Sequence, residues 1–190
     1  MILGKSERED LLCLAREAIE ESLDPHLPKS SQRATEKKAL QTRCGAFVSL
    51  YVNDELRGCI GTFSEEEPVY RNVKKMAVSA ATTDTRFSPI LLEELDRLAI
   101  EISVLTPRTR IYDISEIIIG KHGIYMTRGL NRGTFLPQVA VAQNWNAEEL
   151  LGNCSRYKAG IGWEGWKTAE LYTYQALIFR STPGINVKKY

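Results

Sequence analysis

The stretch from Gly45 to Gly61, GAFVSLYVNDELRGCIG, contains two apolar segments that are separated by Asn53 and Asp54. Both of these residues tolerate the left-handed backbone conformations that two-residue hairpin turns require. The stretch therefore predicts a β-hairpin with strands at 45–52 and 55–61.

The two-residue turn also predicts which residues face each other across this hairpin. Counting back from the turn sets Leu50 opposite Arg57 and Val48 opposite Cys59, so that Arg57 and Cys59 share one face. A neighbouring guanidinium favours the thiolate form of a cysteine, which is its nucleophilic form. Cys59 is therefore the first candidate for chemistry.

The glycines on both sides of Cys59 are compatible with two interpretations. Gly58 and Gly61 remove side chains, as happens where a ligand or another backbone approaches closely, and this would expose the sulfur. Alternatively, a cysteine in a strand is a small buried hydrophobe. The sequence leaves both interpretations open.

The segments around the hairpin predict helices and a further strand. Upstream, Ser6 and Glu9 form the capping box of a helix over 7–22, which ends at Asp24, and Pro25–Gln32 is predicted to be a surface loop. Downstream, a helix is indicated by Pro68 and by an apolar stripe at Val69, Val73, Met76, Ala77 and Ala80. The alternation of apolar residues over 98–105 predicts a strand, which ends before Pro107.

The second half of the chain repeats the order hairpin, helix, strand. Its predicted elements are strands at 124–128 and 134–136 about a turn at 129–133, a helix capped by Asn146 and Glu149 and ended by Gly160, and a strand at 171–179. We therefore expect an α+β fold of two similarly built lobes, at 45–107 and 120–181, with mixed or antiparallel sheets, helices packed on them and a cleft between.

Composition narrows the class of protein. The 190 residues are 43% apolar and 26% charged, as in ordinary globular domains, and carry a formal net charge of +1, which offers no global field for a polyanion. No apolar run is long enough for a spanning helix, and the start of the chain does not resemble a signal peptide. We expect a cytoplasmic protein that binds neither nucleic acid nor membrane.

The cysteines and short motifs bear on cofactors. Cys13, Cys44, Cys59 and Cys154 lack paired metal-ligand spacing, so no zinc site is predicted, and a reducing compartment would keep them as thiols. The chain has no phosphate loop, dinucleotide fingerprint, HExxH pair or serine elbow. The sequence therefore names no cofactor and leaves the oligomeric state open.

Two further residues are candidates for proton chemistry. His122 lies in a glycine-flanked polar loop from which a proton carrier could reach a cleft, although an ordinary surface role is equally compatible. Glu101 interrupts an apolar strand, and its carboxylate needs either solvent or a partner such as Arg57 or Arg86.

Four polar residues are candidates for substrate contact, each beside a structural alternative. Asp84 and Arg86 follow a predicted helix, where an aspartate commonly anchors a turn. Lys158 lies near a helix end and favours its dipole, and Gln138 follows Pro137 at a helix start. The other histidine, His26, is expected to be solvated surface.

The segment Leu56–Gly61, LRGCIG, resembles the signature of the AMMECR-type domain family, which is named for a chromosomal region linked to Alport syndrome, midface hypoplasia and elliptocytosis. The segments that share the resemblance span most of the chain, 1–190, and include GAFV at 45–48, DTRF at 84–87, IEISVL at 100–105, HG at 122–123, LPQ at 136–138 and KAG at 158–160. Where the family usually has proline after the aspartate, this chain has Thr85, a change that loosens the turn.

The resemblance implies a two-lobed α+β fold and a role in a modification pathway, because family members occur fused to, or encoded beside, Memo-like and radical SAM proteins. Our first hypothesis is an enzyme or enzyme component with Cys59 as nucleophile, Arg57 as its charge partner, His122 as proton carrier and Glu101 as orienting carboxylate. The alternative is a noncatalytic domain whose cleft binds a small molecule, a peptide or a partner protein.

Overall fold

The computed structural model describes residues 3–24, 26 and 36–183. The chain forms two compact units, one from Met1–Leu105 with Leu177–Tyr190 and one from Thr106–Ala176. These bounds differ from the lobes expected at 45–107 and 120–181, because the last strand of the chain pairs within the first unit's sheet. In the described part of the chain, no helix combines the length and apolarity that a membrane crossing requires.

The first unit is a four-stranded sheet with two helices on one face. Its elements are helix α1 (Lys5–Leu23), strands β1 (Ala46–Val52) and β2 (Glu55–Thr62), helix α2 (Val69–Thr82), a short 3-10 helix (Leu92–Arg97), strand β3 (Leu98–Leu105) and strand β8 (Ala176–Arg180). The strand order is β2-β1-β3-β8. Buried residues alternate along β1, at Ala46, Val48, Leu50 and Val52, and pack with the apolar stripe of α2 as predicted.

The predicted hairpin is confirmed, but its register is not the predicted one. Asn53 and Asp54 both have positive φ, of 52° and 64°, as a type I′ turn requires. The register then shifts, because Tyr51 faces Leu56 whereas Leu50 faces Gly58, so Arg57 is a bulge residue. As a result Ser49, and not Val48, faces Cys59.

Helix α1 is longer than predicted and begins differently. Its N-cap is Gly4, which makes no side-chain cap, so the predicted capping box of Ser6 and Glu9 is wrong. The hydroxyl of Ser6 instead accepts a hydrogen bond from Lys37 Nζ at 2.6 Å. The helix ends at Asp24 as predicted. Of the loop predicted at 25–32, the structure describes His26, which is exposed, and the other residues lie outside the described ones.

The second unit is also a four-stranded antiparallel sheet with helices. Its elements are β4 (Thr109–Ile111), β5 (Gly123–Arg128), β6 (Asn131–Phe135), α3 (Pro137–Ala142), α4 (Ala147–Asn153), a π-helical turn (Cys154–Lys158), a 3-10 helix (Trp163–Thr168) and β7 (Glu170–Tyr174), with strand order β4-β7-β5-β6. The α+β class with helices packed on the sheets is therefore confirmed.

Two boundaries in this half differ from the prediction. The hairpin turn is Gly129–Leu130, shorter than 129–133, because β6 already pairs from Asn131. The strand predicted at 171–179 is interrupted at Gln175, so β7 pairs in one sheet and β8 in the other. The capping box of Asn146 with Glu149 is confirmed, as is the left-handed Gly160, with φ 67°.

Candidate functional site

A polar row crosses the face of the first unit's sheet that lies opposite the buried face of β1. Cys59 on β2 faces Ser49 on β1, and Ser49 faces Glu101 on β3. All three residues are half-buried, whereas the neighbours of Ser49 along β1, Val48 and Leu50, are fully buried. The row therefore belongs to a surface that the sheet presents away from its own core.

The bulge at Arg57 decides that Cys59 belongs to this row. Successive strand residues point to opposite faces, so one extra residue moves every later side chain of the strand to the other face. Without the bulge, Cys59 would face the buried Val48. With it, Ser49 Oγ lies 3.2 Å from Cys59 Sγ and donates a hydrogen bond to the sulfur.

The main chain of Cys59 is held from the free edge of β2. The amide of Cys59 donates to Asp84 Oδ2 at 2.8 Å, and Arg86 Nη2 donates to the carbonyl oxygen of Cys59 at 2.8 Å. Arg86 also binds the buried Asp84 carboxylate, through Nε at 2.9 Å and Nη2 at 2.7 Å. These contacts with Arg86 lower the pKa of Asp84 well below its ordinary value, and the amide of Cys59 contributes in the same direction. Asp84 and Arg86 thus fix the cysteine's backbone.

Arg57 is engaged elsewhere. Its guanidinium makes a two-pronged ion pair with Glu94, through Nε to Oε1 and Nη2 to Oε2, each at 2.9 Å, and Nη1 donates to the carbonyl oxygen of Ser88 at 3.0 Å. The predicted pairing of Arg57 with Leu50 is wrong, because Arg57 is the bulge residue. The positive charge of Arg57 is directed to Glu94, so we do not give it the role of charge partner of the thiol.

Glu101 binds neither of its two candidate partners, Arg57 and Arg86, and solvent was the alternative. Arg57 binds Glu94 and Arg86 binds Asp84, and among the described residues Glu101 makes no hydrogen bond or ion pair. Its charge is nevertheless felt on the same face, where burial, with a contribution from Glu101, raises the pKa of the Tyr51 phenol. A half-buried carboxylate that has no hydrogen bond or ion pair within the described part of the chain is available to a ligand.

Three residues of this face were missed by the sequence interpretation. The period-two alternation of β1 could have indicated that Ser49 and Tyr51 lie on this face, because each stands between aliphatic residues in the sequence. The guanidinium carbon of Arg180 lies 4.3 Å from the Tyr51 ring centroid. Arg180 also pairs with Asp54, although the two residues are 126 positions apart in the sequence. No local signal connects Arg180 to the hairpin.

The two glycines that flank Cys59 have identifiable packing roles. A Cβ on Gly58 would lie 2.1 Å from the carbonyl oxygen of Ala80 in α2, and one on Gly61 would lie 2.1 Å from the ring of Phe47. Gly58 therefore lets the helix backbone approach the sheet, which is the close approach of another backbone that the sequence suggested.

The remaining predicted site residues lie in the second unit. His122 Nδ1 is 3.2 Å from the Ile118 amide nitrogen and 3.1 Å from the Glu116 carbonyl oxygen, beside a cavity of about 230 Å³. Gln138 is exposed in the first turn of α3, and Lys158 is exposed with Nζ 5.3 Å from the Phe135 ring centroid. The structure thus brings Cys59, Glu101, Asp84 and Arg86 together in the first unit, and it places these three in the second.

Comparison with known proteins identifies the family. The AMMECR1 family model matches residues 12–179. The chain belongs to the AMMECR1 family. This assignment agrees with the resemblance carried by LRGCIG and the other segments.

Individual AMMECR1-type relatives match nearly the whole chain. A Methanopyrus kandleri protein, MK0488, is 37% identical over 93% of this chain and 89% of its own length, and a Methanothermobacter thermautotrophicus protein is 38% identical over 93% and 95%. The crystal structure of protein PH0010 from Pyrococcus horikoshii superposes with a TM-score of 0.83 at 33% identity, covering 95% of both chains. The match to a solved structure supports the fold described above.

Proposed function

We propose that this AMMECR1-family chain is an enzyme or enzyme component that uses Cys59 as a nucleophile. The observation that supports the proposal is the bulge at Arg57, which turns the Cys59 thiol out of the core and places it beside the Ser49 hydroxyl. A cysteine that served only as a small core residue would gain nothing from this reorientation.

The surroundings of Cys59 suit a sulfur nucleophile that attacks an electrophilic carbon. The Ser49 hydroxyl donates a hydrogen bond to the sulfur and holds it in the polar row. The backbone contacts from Asp84 and Arg86 fix the direction of the Cα–Cβ bond, which reduces the entropy lost on reaching an attack geometry. Glu101, in the same row, is the carboxylate that orients the substrate or accepts a proton.

The proposed setting follows the family's associations. We propose that the protein works in the cytoplasm, where cysteines remain thiols, in a modification pathway with Memo-like and radical SAM proteins, on a small molecule or a peptide. All four cysteines of the chain are free. Co-expression with a Memo-like and a radical SAM protein of one genome, followed by purification through a tag on this chain, tests the association. Recovery of this chain alone would contradict it.

Alkylation with iodoacetamide tests the nucleophile, with peptide masses reporting each cysteine separately. Cys13 is the internal control, because it is also half-buried but burial raises the pKa of its thiol to about 11, leaving roughly a thousandth as thiolate near pH 8. We expect Cys59 to react at least about tenfold faster than Cys13. Equal rates, with no protection of Cys59 by any fraction of a cell extract, would contradict the proposal.

Two matched variants separate the role of Ser49 from a general effect on the sheet. Ser49→Ala removes the hydroxyl that donates to sulfur, and we expect alkylation of Cys59 to slow by about threefold near neutral pH. Ser103→Ala removes a hydroxyl from the same face, opposite Phe47, and should leave the rate unchanged. Equal slowing in both variants would mean that the hydroxyl itself is unimportant.

A noncatalytic ligand-binding or protein-interaction domain is the second candidate. It is favoured by the packing roles of Gly58 and Gly61, because those glycines need no substrate to explain them. A stoichiometric partner that is captured equally well by the wild type and by Cys59→Ser would support this alternative. A partner or ligand lost with the sulfur would support the enzyme.

A further inference from the structure

The charged groups around the polar row of Cys59, Ser49 and Glu101 are paired, with one exception. Three arginines beside the row each bind one carboxylate at 2.7 to 2.9 Å, and these pairs are Arg86 with Asp84, Arg57 with Glu94 and Arg180 with Asp54. Each pair is neutral as a whole. Among the described strand residues on this face, Glu101 alone has no ion-pair partner, so the row carries one uncompensated negative charge.

The hydrogen-bonding groups of the row leave an acceptor unused. The hydroxyl of Ser49 has one proton, which it donates to Cys59 Sγ at 3.2 Å. An ionised carboxylate accepts hydrogen bonds and donates none. Glu101 is half-buried and makes no hydrogen bond within the described part of the chain. A donor on a ligand would therefore stabilise it, and a positively charged donor would do so most strongly.

The field of Glu101 extends to a neighbouring residue of this face. Burial raises the pKa of the Tyr51 phenol, and Glu101 raises it further. The opposite effect of Arg180 is smaller, although its guanidinium carbon lies 4.3 Å from the Tyr51 ring centroid. Arg180 is bound to Asp54, so its positive charge is partly compensated. A charged group placed in the row therefore experiences a field in which the negative charge of Glu101 predominates.

We propose that Glu101 selects substrates that carry a cationic nitrogen, such as an ammonium or a guanidinium, near the electrophilic carbon that Cys59 attacks. This inference rests on the function proposed above. Cys59 and Glu101 lie on either side of Ser49 on adjacent strands, so their Cα atoms are two strand spacings apart, roughly 10 Å. A small substrate can therefore contact both side chains. An anionic substrate would be repelled by Glu101 and would have to compete with Asp84 or Asp54 for an arginine.

Methanethiosulfonate reagents of similar size and different charge test the proposal on the full chain. Each reagent transfers its thioalkyl group to a cysteine sulfur, which forms a disulfide, while methanesulfinate leaves and the thiol proton passes to solvent. The aminoethyl reagent is cationic, the hydroxyethyl reagent is neutral and the sulfonatoethyl reagent is anionic. Peptide masses report the rate at Cys59, and division by the rate with free mercaptoethanol removes the intrinsic reactivity of each reagent.

The corrected rates at Cys59 should follow the charge of the reagent. At low salt we expect the aminoethyl reagent to react about tenfold or more faster than the sulfonatoethyl reagent, with the hydroxyethyl reagent between them. Raising the salt to about 1 M should bring the cationic and anionic rates to within about threefold, because salt screens the charge of a half-buried group in part. This salt dependence is measured on the wild type, so it does not depend on the folding of any variant.

Substitutions assign the charge preference to one residue. Glu101→Gln keeps the size but removes the charge, and the corrected cation-to-anion ratio should fall to about one. Glu101→Asp keeps the charge and should retain a preference for the cation of at least about threefold. Urea unfolding of each variant shows that the fold is retained.

Glu55→Gln is the matched control. Glu55 is an exposed glutamate of the same hairpin, but it faces Val52, so it lies on the opposite face of the sheet. This variant should keep the cation-to-anion ratio within about twofold of the wild type. Equal losses of preference in Glu55→Gln and Glu101→Gln would reduce the effect to general electrostatics and overturn the role of Glu101.

Peptide reagents identify the source of the cationic nitrogen. Chloroacetylated glycyl-arginyl-glycinamide alkylates a thiol with loss of chloride and carries a guanidinium, and the same peptide with citrulline for arginine is its uncharged control. A preference of Cys59 for the arginine peptide as large as that for the aminoethyl reagent would assign the site to cationic peptides. A preference confined to the small reagents would assign it to small molecules, and no preference in either series would overturn the proposal.

The failure of this inference and the failure of the proposed nucleophile give different results. If Cys59 reacts no faster than Cys13 with any reagent, the proposed function fails and the inference fails with it. If Cys59 reacts faster but the corrected cationic and anionic rates are equal at low salt, the nucleophile stands and selection by Glu101 is overturned. A faster reaction with the sulfonatoethyl reagent would also overturn it, by assigning the site to anionic substrates.

Discussion

Two hairpins of the described residues, β1–β2 and β5–β6, have the same architecture but differ by one residue. In β5–β6 the pairing runs without interruption from Arg128 with Asn131 to Ile124 with Phe135. In β1–β2 the extra residue Arg57 shifts the pairing. The regular hairpin therefore keeps its side chains where a simple count places them, whereas the bulged hairpin moves Cys59 from the core to the polar face. One inserted residue decides whether the first unit has a candidate nucleophile.

The glycines of the two hairpins provide the largest expected contrast. Gly58→Ala forces a Cβ against the carbonyl oxygen of Ala80, 2.1 Å away in the helix backbone, and we expect a loss of about 3 kcal/mol or more in the free energy of unfolding. In Gly129→Ala the added Cβ has no atom within 4 Å, so the only cost is the strain of the positive φ of 62°, about 1 kcal/mol of unfolding free energy. Urea unfolding measures both. Equal losses would mean that turn conformation, and not helix approach, limits the first hairpin.

The edge contact of the bulged hairpin provides the second contrast, because no carboxylate in the described ranges holds the β5–β6 hairpin in a comparable way. Asp84→Asn keeps the shape but removes the charge that binds Arg86 and the Cys59 amide, and we expect a loss of about 2 kcal/mol near neutral pH.

The pH dependence of this loss follows from the direction of the pKa shift. The folded pKa of Asp84 lies below its ordinary value of 3.8, so the carboxylate's contribution is fully present above that value and is lost as pH falls through the folded pKa. The wild type and Asp84→Asn should therefore converge as pH decreases below about 4. A difference in unfolding free energy that grows on acidification would contradict the role of the charge.

Arg57 itself gives a smaller effect that bears directly on the proposed chemistry. Arg57→Ala breaks a partly buried ion pair with Glu94, and we expect a loss of about 1 kcal/mol in unfolding free energy. Because the guanidinium is bound to Glu94, the alkylation rate of Cys59 should change by less than about twofold. A tenfold lower rate without loss of structure would restore Arg57 as the charge partner of the thiol.

The sequence predicted most of the elements of the fold, because periodicity and turn chemistry are local signals. The type I′ turn at Asn53 and Asp54, the helix after Pro68 and the cap at Asn146 each depend on residues within a few positions of one another. The facing of Cys59 was mispredicted because nothing in the hairpin's composition distinguishes a bulge from a regular strand. The bulged Arg57 binds Glu94, 37 residues further along the chain, and no local pattern indicates that contact.

The site residues also divide into those that a local sequence pattern identifies and those whose role depends on tertiary contacts. Cys59 was found from its local glycine context, whereas Ser49 was missed because its significance depends on the shifted register. Arg57 and Arg86 were only candidate partners of Glu101, with solvent as the alternative, and they bind Glu94 and Asp84 because partner choice among several carboxylates is a property of the packed structure. Local pattern identifies which residues are unusual for a strand, and tertiary contacts decide what those residues touch.

A substitution in the turn of the first hairpin is expected to change the free energy of unfolding least, because it relieves backbone strain but also removes an ion pair. Asp54 has φ 64°, a conformation that costs a non-glycine residue about 1 kcal/mol, whereas the β5–β6 turn already has glycine, Gly129, at its left-handed position. Asp54→Gly removes that cost but also removes the exposed ion pair with Arg180 Nη2 at 2.7 Å, which contributes up to about 1 kcal/mol.

We therefore expect Asp54→Gly to change the unfolding free energy by less than about 0.5 kcal/mol at low salt. Salt screens exposed ion pairs but does not alter backbone strain, so the variant should become more stable than the wild type as salt is raised to about 1 M. A variant that stays less stable at high salt would show that Arg180, which also stacks on Tyr51, stabilises the hairpin by packing and not by charge.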